Sequence, residues 1–259
     1  MSGFLFHDVI FGPVVSRRLG LSLGINLLPT HSKYCSFNCI YCECGWTPQN
    51  INLTPELPSR KLVSQYLEYR LKELVEEDHI PDALTYAGNG EPTMHPDFAG
   101  IVDDTLALRD KYMPGVKVAV LSNASMIHKP GIFKALEKLD CNIQKLDVGF
   151  ERLFLLFNNP VIPVKFKDLV SDLKKFNGKL IIQTMFLRGT YNGKTIDNTT
   201  DLEVSGWLDH LGEIRPSLVM LYPISRATPV HNLEKIATFE LEKIAEKVRK
   251  LGIEAKVYG

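Results

Sequence analysis

The chain has 259 residues, with 30 Lys and Arg against 30 Asp and Glu; 45% of residues are hydrophobic and 23% charged. That composition excludes a disordered or low-complexity chain, and the formal net charge of +0 gives no support to broad electrostatic binding of nucleic acid. No apolar run approaches the roughly 20 residues that span a bilayer, and the first residues carry acidic Asp8 and no basic n-region, so a soluble, cytoplasmic protein with no membrane partner is expected.

In chain order, Leu21 to Leu28 is an apolar run ending at Pro29, expected as a buried strand. A cysteine-bearing loop follows, then a polar, Pro-containing stretch over 47–58. Ser59 can cap a helix to about Glu77, since Val63, Leu67, Leu71 and Val75 recur every four residues. Ala83 to Ala87 reads as a second strand, broken by Gly88-Asn89-Gly90. A helix over Pro96 to Tyr112, a strand over Val116 to Leu121, a short helix over Gly131 to Leu139 and a strand over Asn142 to Val148 come next. In the second half, a helix spans Lys165 to Phe176 and a fifth strand Leu180 to Phe186. Val204, Trp207, Leu208 and Leu211 mark another helix, and Leu218 to Tyr222 a sixth strand. The last helix carries Leu241, Ile244, Ala245, Val248 and Leu251, with Gly252 as its cap. Thr190 to Thr200 is polar and holds Asn192-Gly193; it is expected to be a loop covering the substrate opening.

Six β/α units with continuous apolar strands imply an α/β fold, a parallel sheet covered by helices. The sheet is either doubly wound or a closed or partial barrel. No linker or composition shift divides the chain. One domain over 1–259 is expected, an N-terminal segment 1–20 followed by a barrel over 21–259. Function then lies at the C-terminal ends of the strands. Three features fall there: the cysteine loop, Gly88 to Pro92, and Ser122-Asn123.

Four of the five cysteines, Cys35, Cys39, Cys42 and Cys44, fall within ten residues. In a reducing compartment this pattern points to a metal or catalytic site more than to disulfides. A compact zinc site would close with Cys44 or His31 as its fourth ligand. Three thiolates can instead hold three irons of a [4Fe–4S] cluster and leave the fourth iron open for a ligand. That arrangement requires Cys44 to point away.

The segment Cys35-Ser36-Phe37-Asn38-Cys39-Ile40-Tyr41-Cys42 resembles the radical S-adenosylmethionine (SAM) signature, C-x3-C-x-aromatic-C, with Tyr41 at the aromatic position. Upstream, the stretches Gly12 to Gly20 and Ser22 to Pro29 are similar to wyosine-synthase-like Fe–S oxidoreductases. The resemblance implies a partial (β/α)6 TIM-like barrel, a [4Fe–4S] cluster held by Cys35, Cys39 and Cys42, and SAM chelated at the fourth iron. It implies SAM cleavage to a 5′-deoxyadenosyl radical that abstracts hydrogen from a substrate. A tRNA base is the substrate the subgroup suggests; a small metabolite or peptide is the alternative within the same chemistry, and a non-catalytic zinc or Fe–S module the alternative outside it. A one-electron donor such as flavodoxin or ferredoxin is implied as partner.

Further residues follow from the same resemblance. Gly88-Asn89-Gly90-Glu91-Pro92 resembles the family's G-G-E-P motif, whose glycines let the backbone approach the SAM ammonium group. Ser122 and Asn123 are expected at the SAM ribose or carboxylate, and Thr184 and Tyr222 near SAM. Lys145 and Asp147 resemble a K-x-D segment and, as alternate residues of one strand, share a face; they are the catalytic candidates. Asn158-Asn159-Pro160 resembles a later N-x-P stretch.

Overall fold

The computed structural model describes residues 3–48 and 55–259, so part of the Pro-containing stretch after the cysteines, 49–54, lies outside the described residues. The strands are β1 (Ile10–Ser16), β2 (Gly20–Ile25), β3 (Ala83–Tyr86), β4 (Lys117–Ser122), β5 (Cys141–Lys145), β6 (Ile181–Tyr191), β7 (Lys194–Asp197), β8 (Leu218–Pro223), β9 (Leu233–Lys235) and β10 (Ala255–Val257). The helices are α1 (Arg60–Glu76), α2 (Phe98–Tyr112), α3 (Pro130–Leu136), α4 (Glu151–Phe157), α5 (Phe166–Lys174), α6 (Asp201–Ile214) and α7 (Thr238–Arg249). The sheet runs β1-β2-β3-β4-β5-β6-β8-β10. From β2 to β10 every pairing on this path is parallel. Among the described residues β1 and β10 do not pair, so the sheet is an open, partial barrel. The six expected β/α units are present. Among the described residues no helix is long and apolar enough to cross a membrane.

Strand alternation divides the apolar residues into two groups. Leu23, Ile25, Leu84, Tyr86, Val118, Val120 and Ile182 join the large core under the helices. Ala119, Cys141, Ile143 and Met220 form a separate cluster in the lumen. Ser59 caps α1 as expected, its side chain accepting from Leu62 N–H.

Four departures from the sequence expectation bear on the site. β1 adds an antiparallel edge strand from within the expected N-terminal segment. Its Pro13 is tolerated because an edge strand can lack one donor, and the register shifts between Phe11 and Val14. α4 is an additional helix after β5. β6 runs five residues past the expected strand end at Phe186. The expected loop Thr190 to Thr200 is largely a hairpin: β6 pairs antiparallel with β7, and Asn192 and Gly193 take φ of 50° and 69°. Two left-handed residues make the turn whose twist matches a β-hairpin, so Asn-Gly here joins strands. β9 pairs with the other edge of the β6 extension. The branch point is held by Asn198, which accepts from Leu187 N–H at 3.0 Å and donates to Asp147 O and Met185 O at 2.8 Å each.

The cysteine loop is pinned on both flanks. On one side, Tyr34 N–H donates to Asn89 O at 2.8 Å and Glu91 N–H donates to Tyr34 O at 3.1 Å. On the other, Ile40 N–H reaches Phe157 O (3.0 Å), Asn38 N–H reaches Asn159 O (2.9 Å), and Val161 N–H reaches Ser36 O (2.9 Å). Asn158-Asn159-Pro160 is thus a backbone splint for the loop. Gly90 is required by the first flank: φ is 144°, and a Cβ there would lie 1.9 Å from Tyr34 O. A Cβ on Gly88 would lie 2.5 Å from Asn26 Oδ1. Both glycines are required by packing within the protein, and both also line the cavity beside the cysteines.

Two outcomes follow. Gly90→Val should displace the loop, so iron content and SAM binding fall together while far-ultraviolet circular dichroism persists; a variant with full iron content would contradict the docking role. Asn198→Ala strands buried backbone groups and should lower unfolding stability in urea by about 2 kcal/mol or more; an unchanged midpoint would contradict it.

Candidate active site

Cys35 and Cys39 are buried and Cys42 is half-buried; all three line one cavity of about 170 Å³ at the C-terminal ends of the strands. Burial pushes the Cys35 thiol up to about 12 and also raises Cys39. Cys42 goes the other way, down to about 5, through a hydrogen bond from Cys44 and the charge of Lys33. Cys44 therefore does not point away as expected. It lines the cavity beside Cys42, lies 3.5 Å from Gly88 O, and is itself pushed up, chiefly by its bond to Cys42. The cause is a tight turn: Gly45 N–H donates to Cys42 O at 2.9 Å with Gly45 at φ 75°, which folds Cys44 back. His31 is exposed and stands apart from the residues lining the cavity.

Lys33 is a residue that the sequence reading missed. It is only 3% exposed, donates to Gly45 O at 2.9 Å and lines the cysteine cavity. Burial lowers its pKa, but Cys42, Cys35 and Cys39 outweigh that and the net shift is upward. A buried cation among thiolates offsets the charge that metal ligation needs. Its position two residues before the first cysteine is the only sequence signal. Among the described residues no three His, Cys, Asp or Glu side chains converge on a point that would hold a single ion. The three thiols of the motif surround a space. That donor set fits a cluster of several irons with thiolate corners. Amide donors approach two of the sulfurs: Asn123 Nδ2 lies 3.5 Å from Cys35 Sγ and Asn158 Nδ2 lies 3.6 Å from Cys39 Sγ.

The two catalytic candidates meet Tyr41. Tyr41 OH donates to Asp147 Oδ2, and Lys145 Nζ donates to Tyr41 OH at 2.8 Å. Asp147 Oδ2 also accepts from Asn158 Nδ2 at 2.8 Å, lies 3.5 Å from Lys145 Nζ, and Oδ1 accepts from Met185 N–H at 2.9 Å. With both oxygens engaged, Asp147 positions its neighbours. Lys145 faces the cavity. Burial lowers its pKa, but Asp147 together with Tyr222, Cys39 and Cys42 outweighs this and the net shift is upward, so its amine is held charged. Tyr41 is pushed well above the usual phenol range by burial and Asp147, and its ring packs edge-on to Phe157 at 5.3 Å.

The other expected residues separate into lining and supporting positions. Gly88, Gly90, Glu91, Ser122 and Asn123 line the cysteine cavity. Glu91 is internally satisfied: it accepts from Thr93 N–H (3.1 Å), Thr93 Oγ1 (2.5 Å), Ser122 Oγ (3.0 Å) and Asn123 N–H (2.6 Å). Burial raises its pKa against the pull of those bonds. Asn89 is fully buried and ties the N-terminal segment down, bonding Phe6 N–H, Phe6 O and Pro29 O at 2.8 Å each. Pro92 opens a buried 3-10 turn. Thr184 is not brought to the cavity. It donates to Leu146 O at 2.7 Å, on the opposite face of β6 from Gln183, which does line the cavity. Tyr222 lies beside Gln183, its OH 3.4 Å from Gln183 Oε1. The alternation of β6 carried this distinction in sequence.

A second cavity of about 680 Å³ adjoins the cysteine cavity and shares Cys44, Gly88, Gly90 and Leu121 with it. Phe4, Phe6 and Phe11 wall it on the N-terminal side.

Comparison with known proteins agrees with this geometry. The model of the radical SAM superfamily matches residues 30–192. A protein of Brachyspira hyodysenteriae named GTPase Obg is 29% identical over 238 residues, covering 90% of this chain and 32% of that protein. A UPF0026 protein of Helicobacter pylori (strain J99) is 29% identical over 222 residues, covering 84% of this chain and 67% of that one. The chain thus spans about a third of the first relative and two thirds of the second. A structure of TYW1 with a lysine-pyruvate adduct bound shares the fold, with a TM-score of 0.63 at 14% identity over 88% of this chain and 73% of that one. A family model covering well over half of the chain, with its three cysteines around one cavity at the strand ends, makes this protein a member of the radical SAM superfamily.

Proposed function

We propose that Cys35, Cys39 and Cys42 hold a [4Fe–4S] cluster whose remaining iron takes the amino and carboxylate groups of SAM. The observation that carries this reading is the joined pair of cavities. Three thiols line the smaller, and it shares four lining residues with the adjoining cavity of about 680 Å³, which has room for a cofactor and a substrate. When bound, the group would supply one electron to cleave SAM and deliver a 5′-deoxyadenosyl radical to a substrate hydrogen.

The chain's own residues hold, neutralise and exclude. Lys33 balances thiolate charge, and Asn123 and Asn158 offer N–H groups to Cys35 and Cys39. Tyr41, braced by Asp147 and Lys145, covers the Cys39 side. Lys145 acts as a fixed cation facing the cavity, because a nucleophilic amine would have to be neutral. A tRNA base is the substrate the subgroup resemblance supports. A small metabolite or peptide is the second reading, favoured by the balanced 30 to 30 charge count. A flavodoxin or ferredoxin as electron donor, and action in the cytoplasm, belong to this proposal.

Each of Cys35→Ala, Cys39→Ala and Cys42→Ala should abolish 5′-deoxyadenosine formation in anaerobic assays with SAM and dithionite; full formation by any one would refute the ligand assignment. Cys44→Ala should keep about four irons and four sulfides per chain. Loss of the metal in that variant would mean four-thiolate ligation and favour a closed, non-catalytic site. Running the assay against RNA and metabolite pools separates the two substrate readings.

A further inference from the structure

Arg18 lies in the turn between β1 and β2 and reaches across the lumen to β6 and β8. Its Nη1 donates to Gln183 Oε1 at 2.5 Å, and its guanidinium lies over the Tyr222 ring, 4.6 Å from the centroid. These two contacts engage one of its five N–H donors and one face of the group, and Arg18 lines both the 680 Å³ cavity and the cavity at the N-terminal ends of the strands. The other cations there are committed or exposed. Arg17 is bound to Gly259 O at 2.6 Å and Ser225 Oγ at 2.9 Å, Arg226 is paired with Glu43, and Lys235 is exposed. Deeper in, Lys145 is paired with Asp147 and Lys33 sits among the thiols. Arg18 has only neutral partners, Gln183 and Tyr222, and among the described residues it makes no ion pair. It is also half-buried, so water compensates its charge only in part.

A guanidinium held flat in a concave, partly apolar cavity is a ready partner for a planar or tetrahedral oxyanion, and binds it through two parallel N–H donors. Gln183 contributes to the wall of the cysteine cavity, so an anion held by Arg18 lies one side chain away from the cysteine site. We propose that Arg18 is the recognition residue for a carboxylate or phosphate group on the substrate, and that Gln183 and Tyr222 position it. This names a substrate class and rests on the radical SAM reading of the site.

The test is calorimetric titration of the anaerobic, cluster-loaded protein with inorganic phosphate and, separately, with succinate. At least one anion should bind saturably. Binding should weaken more than tenfold in Arg18→Gln and less in Arg18→Lys, which keeps the charge without the planar fork. Saturation by phosphate alone assigns a phosphorylated substrate, and by succinate alone a carboxylate. On the unmutated protein, the bound anion should protect Arg18 from phenylglyoxal, read by peptide mass spectrometry, so the result does not depend on the variants folding. No saturation by either anion, equal binding in Arg18→Gln, or no protection would overturn the proposal. So would competition between SAM and the anion, because the arginine would then serve the cofactor's own carboxylate. 5′-Deoxyadenosine formation by the unmutated protein is measured separately. Its failure removes the radical reading and leaves the anion result standing.

Discussion

The site depends on one constraint, the fixing of an irregular ten-residue loop at the end of a sheet. A loop that presents thiols inward cannot form its own regular hydrogen bonds, yet its backbone is largely buried and must be satisfied. The protein solves this with two borrowed edges: Asn89 to Glu91 beyond β3 and Phe157 to Val161 beyond α4 each pair with loop backbone. Gly90 exists for the first edge and the left-handed Asn159 turns the second. Side chains from the same two segments then reach the sulfurs or the groups beside them. Asn158 reaches Cys39, while Glu91 holds the Asn123 that reaches Cys35.

Two buried carboxylates organise this support. Glu91 and Asp147 each accept several hydrogen bonds from different elements, so each converts a charge that is costly to bury into a node that fixes geometry. Removing one partner from a buried ionic pair such as Lys145–Asp147 costs about 3–5 kcal/mol, far more than the pair itself contributes. Their value is positional: Asp147 links β5, β6, Tyr41 and the splint, so the metal side and the lumen side of the site share one rigid frame.

Much of this was legible in the sequence because it follows from periodicity and spacing. The six parallel strands, the Ser59 cap and the three cysteines at a strand end were all readable. The residues that misled are those whose role depends on a distant partner. That Gly90 also seats the cysteine loop shows only when Tyr34 O is seen 1.9 Å from its missing Cβ. Thr184 and Gln183 are adjacent polar residues of one strand. Alternation puts them on opposite faces, and the cavity lining identifies Gln183 as the inward one. Asn192-Gly193 signalled a turn, but the segments it pairs, Arg188 to Tyr191 and Lys194 to Asp197, are short and mostly polar, so the hairpin was hidden. Cys44 could not be placed by spacing alone, because the backbone turn at Gly45 decides its direction.

The central claim is that three thiolates, and not four, hold the cluster, leaving an iron for SAM. Electron paramagnetic resonance of the dithionite-reduced protein, with and without SAM, tests it most directly. The account predicts a reduced [4Fe–4S] signal whose g-values shift when SAM is added and whose lines broaden with SAM labelled by 17O at the carboxylate. A spectrum indifferent to SAM would contradict it, showing a cluster closed by a fourth protein ligand, with Cys44 beside Cys42 as the residue in place to supply it.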